Sequence, residues 1–186
     1  MDTRVFNQFF EACVGSWKTE RTYHYLSHQE VERSRTEFAV KPVNAALKAK
    51  VLSDNDYSIP DSADLEELLG FQLGFHTVSE TGEEVSQELR MLFVVQGESD
   101  GKLTGDYLRD RAYEEARPII SSFRFDPLTR ELLMTTRYTK TVSVDSITLV
   151  NPNLRIRKIL NYRRPPEGEP LKEVGLVGFG VEQKVA

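Results

Sequence analysis

The stretch from Gly15 to Val40, GSWKTERTYHYLSHQEVERSRTEFAV, constrains the fold more than any other part of the chain. From Trp17 to Leu26, aromatic and β-branched residues alternate with charges at a two-residue period, the pattern of a strand with two different faces. A regular strand puts Trp17, Thr19, Arg21, Tyr23 and Tyr25 on one face and Lys18, Glu20, Thr22, His24 and Leu26 on the other. An arginine then shares a face with three aromatics. After Ser27 and His28 the chain turns back, and Gln29 to Val40 is polar on both faces, with Glu30, Glu32, Ser34 and Thr36 alternating against Val31, Arg33, Arg35 and Glu37. A dry core cannot hold such a strand, because each unpaired buried polar group costs on the order of a few kcal/mol. Two structures satisfy this. One is a sheet-edge hairpin with solvated charges; the other is a closed barrel whose partly wet interior holds a polar small molecule.

Before this stretch, Val5, Phe6, Phe9, Phe10 and Cys13 stand at helical spacing, with Asp2 or Thr3 as N-cap and Gly15 as stop, which predicts an amphipathic lid helix over 5–13. Cys13 on that helix reads as a small buried hydrophobe. After it, 43–53 is rich in helix formers, and Asp61 to Leu69 reads as a second short helix capped by Asp61 or Ser62. This helical insertion after strand two is expected to cover the barrel mouth. From Gly70 onward short strands alternate with turn residues: Phe71–Val78, Val85–Gln96, Lys102–Leu108, Pro118–Phe125, Glu131–Lys140, Val142–Val150, Leu154–Tyr162 and Glu173–Lys184. Turns fall at 80–83, Asp100-Gly101, 126–129 and 151–153. The expectation is an all-β, mainly antiparallel meander of nine or ten strands, with the glycine-punctuated last strand closing beside the first.

A chain of 186 residues suffices for one core, so 1–186 reads as a single domain. The net charge of -5 gives no reason to bind nucleic acid or an anionic membrane, and any anion site must be local. One cysteine excludes a disulfide framework and a multi-thiolate metal site; with no signal peptide and no long apolar run, the chain reads as cytoplasmic. No metal site is expected. No phosphate-cradling glycine loop, H-x-x-x-H pair or G-x-S-x-G elbow is present. Arg155 and Arg157 alternate with Leu154 and Ile156, so one strand face carries two guanidinium groups, pointing into the barrel if the apolar face packs outward against the helices and into solvent if it is reversed.

Gly15-Ser16-Trp17 resembles the G-x-W that opens the first strand of lipocalins and fatty-acid-binding proteins. Extended to WKTERTYHYL, EVERSRTEF and NLRIRK at 153–158, the likeness is to the S-type (CpcS/CpeS) phycobiliprotein lyases. It implies a lipocalin-like, calycin β-barrel and a lyase that binds a linear tetrapyrrole of the phycocyanobilin type. That bilin is a transferred substrate rather than a prosthetic group, and its acceptor is a cysteine of an apo-phycobiliprotein subunit. The resemblance implies that Arg21, Arg155 and Arg157 hold bilin propionates, that Trp17 and Glu182 belong to the binding set, and that Asp145 and His24 are the catalytic candidates. Asp145 stands where the family usually has Glu. Regular alternation puts His24 on the face opposite Arg21. A homodimer or a heterodimer with a related subunit is left open. The alternative is a non-catalytic fatty-acid or tetrapyrrole carrier on the same barrel, for which inward arginines are equally natural.

Overall fold

Apolar residues at helical spacing fold α1 (Arg4–Cys13), whose Phe6, Phe9, Phe10 and Cys13 are buried. Gly15 then starts the first strand at a φ of 131°, where a side chain would be strained. The computed structural model describes residues 3–59, 64–110 and 119–185. Its strands are β1 (Gly15–Tyr25), β2 (Glu30–Pro42), β3 (Leu69–Ser79), β4 (Glu84–Ser99) and β5 (Lys102–Arg109), with α2 (Ala45–Asp54) between β2 and β3. They continue as β6 (Ser121–Asp126), β7 (Glu131–Arg137), β8 (Thr141–Asn151), β9 (Leu154–Arg163) and β10 (Val174–Lys184). Each pairs antiparallel with the next, and β10 returns to β1, from Trp17 opposite Lys184 to Tyr25 opposite Leu176, closing the barrel. Closure leaves no sheet edge, so the polar strand β2 is an interior wall and the edge-hairpin alternative falls.

The turns follow their chemistry. Asp100 and Gly101 both take positive φ, 51° and 71°, the two-residue reversal whose twist matches a hairpin. At the next reversals Asp126 Oδ1 accepts from the Leu128 and Thr129 amides, and Asn151 Oδ1 from the Asn153 amide.

Helix α1 plugs one end of the barrel. Phe10 stacks on Phe71 with ring centroids 4.4 Å apart, and Phe6 lies against Phe123 and Phe125. Each such buried aromatic stabilises the docking by about 1.5–3 kcal/mol relative to exposure. The opposite end, where β1 finishes and β10 begins, is not sealed by α1.

Several expectations need correction. Thr3 occupies the cap position of α1 without a side-chain capping bond, and Asp2 lies outside the described residues. Asn44 caps α2 by accepting from the Leu47 amide. This helix does not cover the mouth: Val51 and Leu52 pack with Leu92, Val94 and Leu108 on the outer wall of β4 and β5. A helix over 61–69 is not formed in its described part, where 65–67 make a turn and Leu69 already begins β3; Asp61 and Ser62 fall outside the described residues, as does Pro118. Lys48 holds that turn by donating from Nζ to the Leu65 and Glu66 carbonyls. No described helix is long and apolar enough to cross a membrane.

Candidate functional site

Alternation on the closed barrel sorts side chains into an interior cavity of about 370 Å³. That size is within the range of small-molecule sites. One wall is apolar, with Phe71, Leu73, Phe75, Met91 and Phe93 from β3 and β4, and Met134 from β7. The facing wall is ionic. Arg21, Arg155 and Arg157 reach it from β1 and β9 and Asp145 from β8, while Arg109 enters from the last position of β5, beside Met91. The arginines of β9 point inward although neither helix covers that strand outside. On the adjacent outer face Phe179 and Val181 of β10 stay 47% and 40% exposed. The condition attached to their orientation, an apolar face packed against helices, is therefore not what sets it; barrel closure and the carboxylates inside are.

Two ion-pair groups follow directly from strand register. Glu182 sits opposite Arg155 on β9 and opposite Thr19 on β1, one pair from Arg21, so its carboxylate meets both guanidinium groups. Arg21 Nη2 donates to Oε1 at 3.0 Å and Arg155 Nε to Oε2 at 2.5 Å. Gly180 makes the room: a Cβ there would meet Arg21 Cγ at 2.9 Å. Burial alone would push the Glu182 carboxyl up, yet Arg155, Arg157 and Arg21 together hold it below its ordinary value. The second group is diagonal. Asp145 is paired with Ile159, two residues from Arg157 on the same inward face, and Arg157 donates from Nε and Nη2 to its two oxygens, each at 3.0 Å. Burial opposes the Arg157 charge, but the Asp145 carboxylate more than offsets it and raises the arginine's pKa.

The binding and catalytic candidates divide accordingly. Arg21, Arg155, Arg157 and Asp145 line the cavity, with Arg155 only 3% exposed and its guanidinium carbon 4.6 Å from the Trp17 ring centroid and 5.0 Å from that of Phe38. Trp17 and Glu182 do not line it. Trp17 lies behind Arg155, donating from Nε1 to the Cys13 carbonyl and stacked parallel to Phe38; Glu182 is fully buried between its arginines. Both instead pack behind arginines that line the cavity. His24 is exposed on the outer face of β1, as β alternation dictates, and the geometry gives it no part in the cavity. Burial pushes the Cys13 thiol up, against the lowering effect of Arg155, so no thiolate nucleophile is held there.

Sequence reasoning missed several cavity residues, among them Tyr107, Arg109, Tyr138 and Asn161. Arg109 Nη2 donates to the Tyr138 hydroxyl at 2.6 Å, and Tyr107 lies beneath it on β5. Asn161 lines the mouth of the barrel. The alternation Leu103, Gly105, Tyr107, Arg109 carried the signal for two of them. Tyr138 lies just past the end of β7 but continues the inward alternation Leu132, Met134, Thr136, so the period of two carried a signal for it as well. Among the described residues no group of three or more His, Cys, Asp or Glu side chains is placed to hold a metal ion.

The fold is a calycin-like barrel whose cavity has one apolar and one arginine-carboxylate wall. Residues 5–185 match the model of the CpeS-like protein family. The chain is 60% identical to a chromophore lyase CpcS/CpeS 1 of Synechococcus sp. (strain JA-3-3Ab), covering 97% of this chain and 96% of that protein. It is 22% identical to a phycocyanobilin lyase subunit CpcS of Picosynechococcus sp., over 81% of this chain and 74% of that one. The solved structure of an S-type phycobiliprotein lyase from Guillardia theta superposes with a TM-score of 0.75 at 17% identity, over 97% of this chain and 93% of that one, and shows the shared fold. The chain belongs to the CpeS-like family and is a chromophore lyase. Nothing in these likenesses favours the carrier alternative.

Proposed function

We propose that the chromophore is a linear tetrapyrrole of the phycocyanobilin type, and that the lyase attaches it to a cysteine thiol of an apo-phycobiliprotein subunit. The observation that carries this reading is the two-sided cavity. Pyrrole rings suit the Phe71, Phe93 and Met134 wall, and ring substituents bearing carboxylates suit the arginines facing it. The nucleophile belongs to the partner, because Cys13, the last residue of α1, is fully buried and does not line the cavity. The partner sulfur forms a bond to the exocyclic carbon of ring A, the carbon–carbon π bond there is consumed, and the thiol proton ends on its other carbon. No oxidant or reductant is needed.

What this chain supplies is conformation and charge. Arg157 uses Nε and Nη2 on Asp145, which leaves Nη1 to reach a ligand carboxylate and leaves each Asp145 oxygen a lone pair toward the cavity. Asp145 is then an anion oriented by a fork, able to accept from pyrrole N–H groups and to favour the protonated, more electrophilic bilin. Its benefit falls in the transition state rather than in ground-state binding.

Co-expression with a bilin-synthesis pathway and candidate apo-subunits tests the reaction. Wild-type protein should leave pigment on the subunit that survives denaturing electrophoresis; pigment that stays only with this chain would sink the proposal. Asp145→Asn should bind bilin within a few fold of wild type and transfer it slowly in single turnover at saturating pigment. Wild-type transfer by that variant would remove the role assigned to Asp145.

A further inference from the structure

We infer that Arg109 receives a carboxylate of the chromophore at the mouth of the barrel, exchanging its bond to the Tyr138 hydroxyl for a fork on the ligand. This rests on the tetrapyrrole reading above. Four guanidinium groups line the cavity, and three already have carboxylate partners: Arg21 and Arg155 on Glu182, Arg157 on Asp145. Arg109 differs. Among the described residues its side-chain hydrogen bond goes to a neutral phenol, Tyr138, at 2.6 Å. An arginine offers five N–H donors in a planar fork, so most of its capacity is unused by that single bond.

The surroundings fix the group without consuming donors. Its guanidinium carbon lies 5.6 Å from the centroid of Tyr107 and 5.8 Å from that of Tyr138, within the range where a ring face attracts a cation. Burial keeps the Tyr107 phenol neutral by pushing its pKa up, so this neighbour offers no negative charge. The remaining carboxylate on the cavity lining, Glu32, accepts from Tyr25 Oη at 3.0 Å. Asp145 attracts Arg109 but gives its hydrogen bonds to Arg157, so a ligand carboxylate would add the direct charged partner that Arg109 lacks among the described residues.

Charge on the lining points the same way. Arg21, Arg109, Arg155 and Arg157 face Asp145 and Glu32, with Glu182 behind them, an excess of one positive charge in a chain whose net charge is -5. Arg109 ends β5 on the side of the barrel away from the α1 plug, where a ligand enters. A carboxylate held there fixes the rotation of the tetrapyrrole about its long axis, which the non-directional aromatic wall does not.

The test titrates phycocyanobilin and its dimethyl ester into wild type, Arg109→Gln and Arg109→Lys by absorbance. Arg109→Gln should lose about tenfold to a hundredfold in affinity for the free acid and less than about threefold for the diester. Arg109→Lys, which keeps the charge and loses the fork, should fall between wild type and Arg109→Gln for the acid, and it carries the test if the glutamine variant does not fold. Unchanged acid affinity, or equal losses for acid and diester, would overturn the inference while leaving the tetrapyrrole reading standing. Failure of wild type to bind either pigment would overturn that reading and this inference with it.

Discussion

Glu182→Gln keeps the shape of the side chain and removes the one negative charge that Arg21 and Arg155 share. Glu182 is fully buried and Arg155 is 3% exposed, so water cannot replace the lost partner. Breaking a buried pair from one side destabilises by about 3–5 kcal/mol, because the opposing charge stays buried and unmatched. In a chain of this size each kcal/mol moves the melting temperature by about 2–4 °C, so a fall of roughly 6–20 °C is expected near neutral pH. The pH dependence has a definite sign. The folded-state pKa of Glu182 lies below its ordinary 4.5, so its contribution is complete above that value and is lost as the pH falls through the depressed one. Wild type should therefore lose stability on acidification in a way that Glu182→Gln does not. The gap between their denaturation midpoints should narrow below about pH 4.5. A variant as stable as wild type at neutral pH, or a gap that does not change with acid, would refute the network as described. Adding Arg155→Met to Glu182→Gln should recover part of the loss, since it removes one of the orphaned charges.

Cys13→Ser should leave pigment transfer within a few fold of wild type in the folded protein; abolished transfer would put the nucleophile on this chain. Phe6→Ala should cost about 3–5 kcal/mol by denaturant titration, as Phe6 is fully buried against Phe10, Phe93, Phe123 and Phe125. Lys48→Met should speed amide exchange at 64–68 by loosening the Leu65 and Glu66 carbonyls it holds, without slowing transfer. Gly180→Ala should displace Arg21 from Glu182, since the added Cβ meets its Cγ at 2.9 Å, and lower the melting temperature without changing the outer surface.

Much of the barrel was legible because its local rules act over short spans. Asp100-Gly101 announces a hairpin through its backbone freedom, and Asp126 and Asn151 announce turns through the amides they bond. The period of two assigned Arg21 and His24 to opposite faces before any fold was known. It did not say which face is inside. That needed the closure of β10 on β1, which brings Arg21 to Glu182 across 161 positions of sequence. The Asp145 to Arg157 fork depends on a diagonal in the register of β8 and β9, a relation that alternation alone does not fix. Helix α2 was found from its propensity but misplaced, because Val51 and Leu52 offer an apolar patch without indicating which wall receives it. Arg109 was overlooked for a plainer reason. A single charge at a strand end is usually solvated, and only the barrel fold brings it to Tyr138, 29 positions further along the chain.

Depth orders the four arginines by what each is able to do. The Glu182 pair is sealed, and exchange of its partner for a ligand would expose buried charge with nothing to solvate it. Its part is to hold β1, β10 and β9 in register at the floor, backed by Trp17 and the end of α1. The Asp145 and Arg157 side chains are 23% and 21% exposed to the cavity, so a ligand can add to that pair while the fork persists. Arg109, bonded to a phenol, has the least to give up. On the proposed reading, a tetrapyrrole entering from the mouth would meet charges of increasing commitment: first a cation bonded only to a phenol, then an oriented anion for the pyrrole nitrogens, then a closed ion pair that does not yield. Such a gradient would bind the pigment firmly at one point and leave the rest of it to be shaped. A lyase must later release its chromophore to another protein, and a cavity of four open arginines would oppose that release.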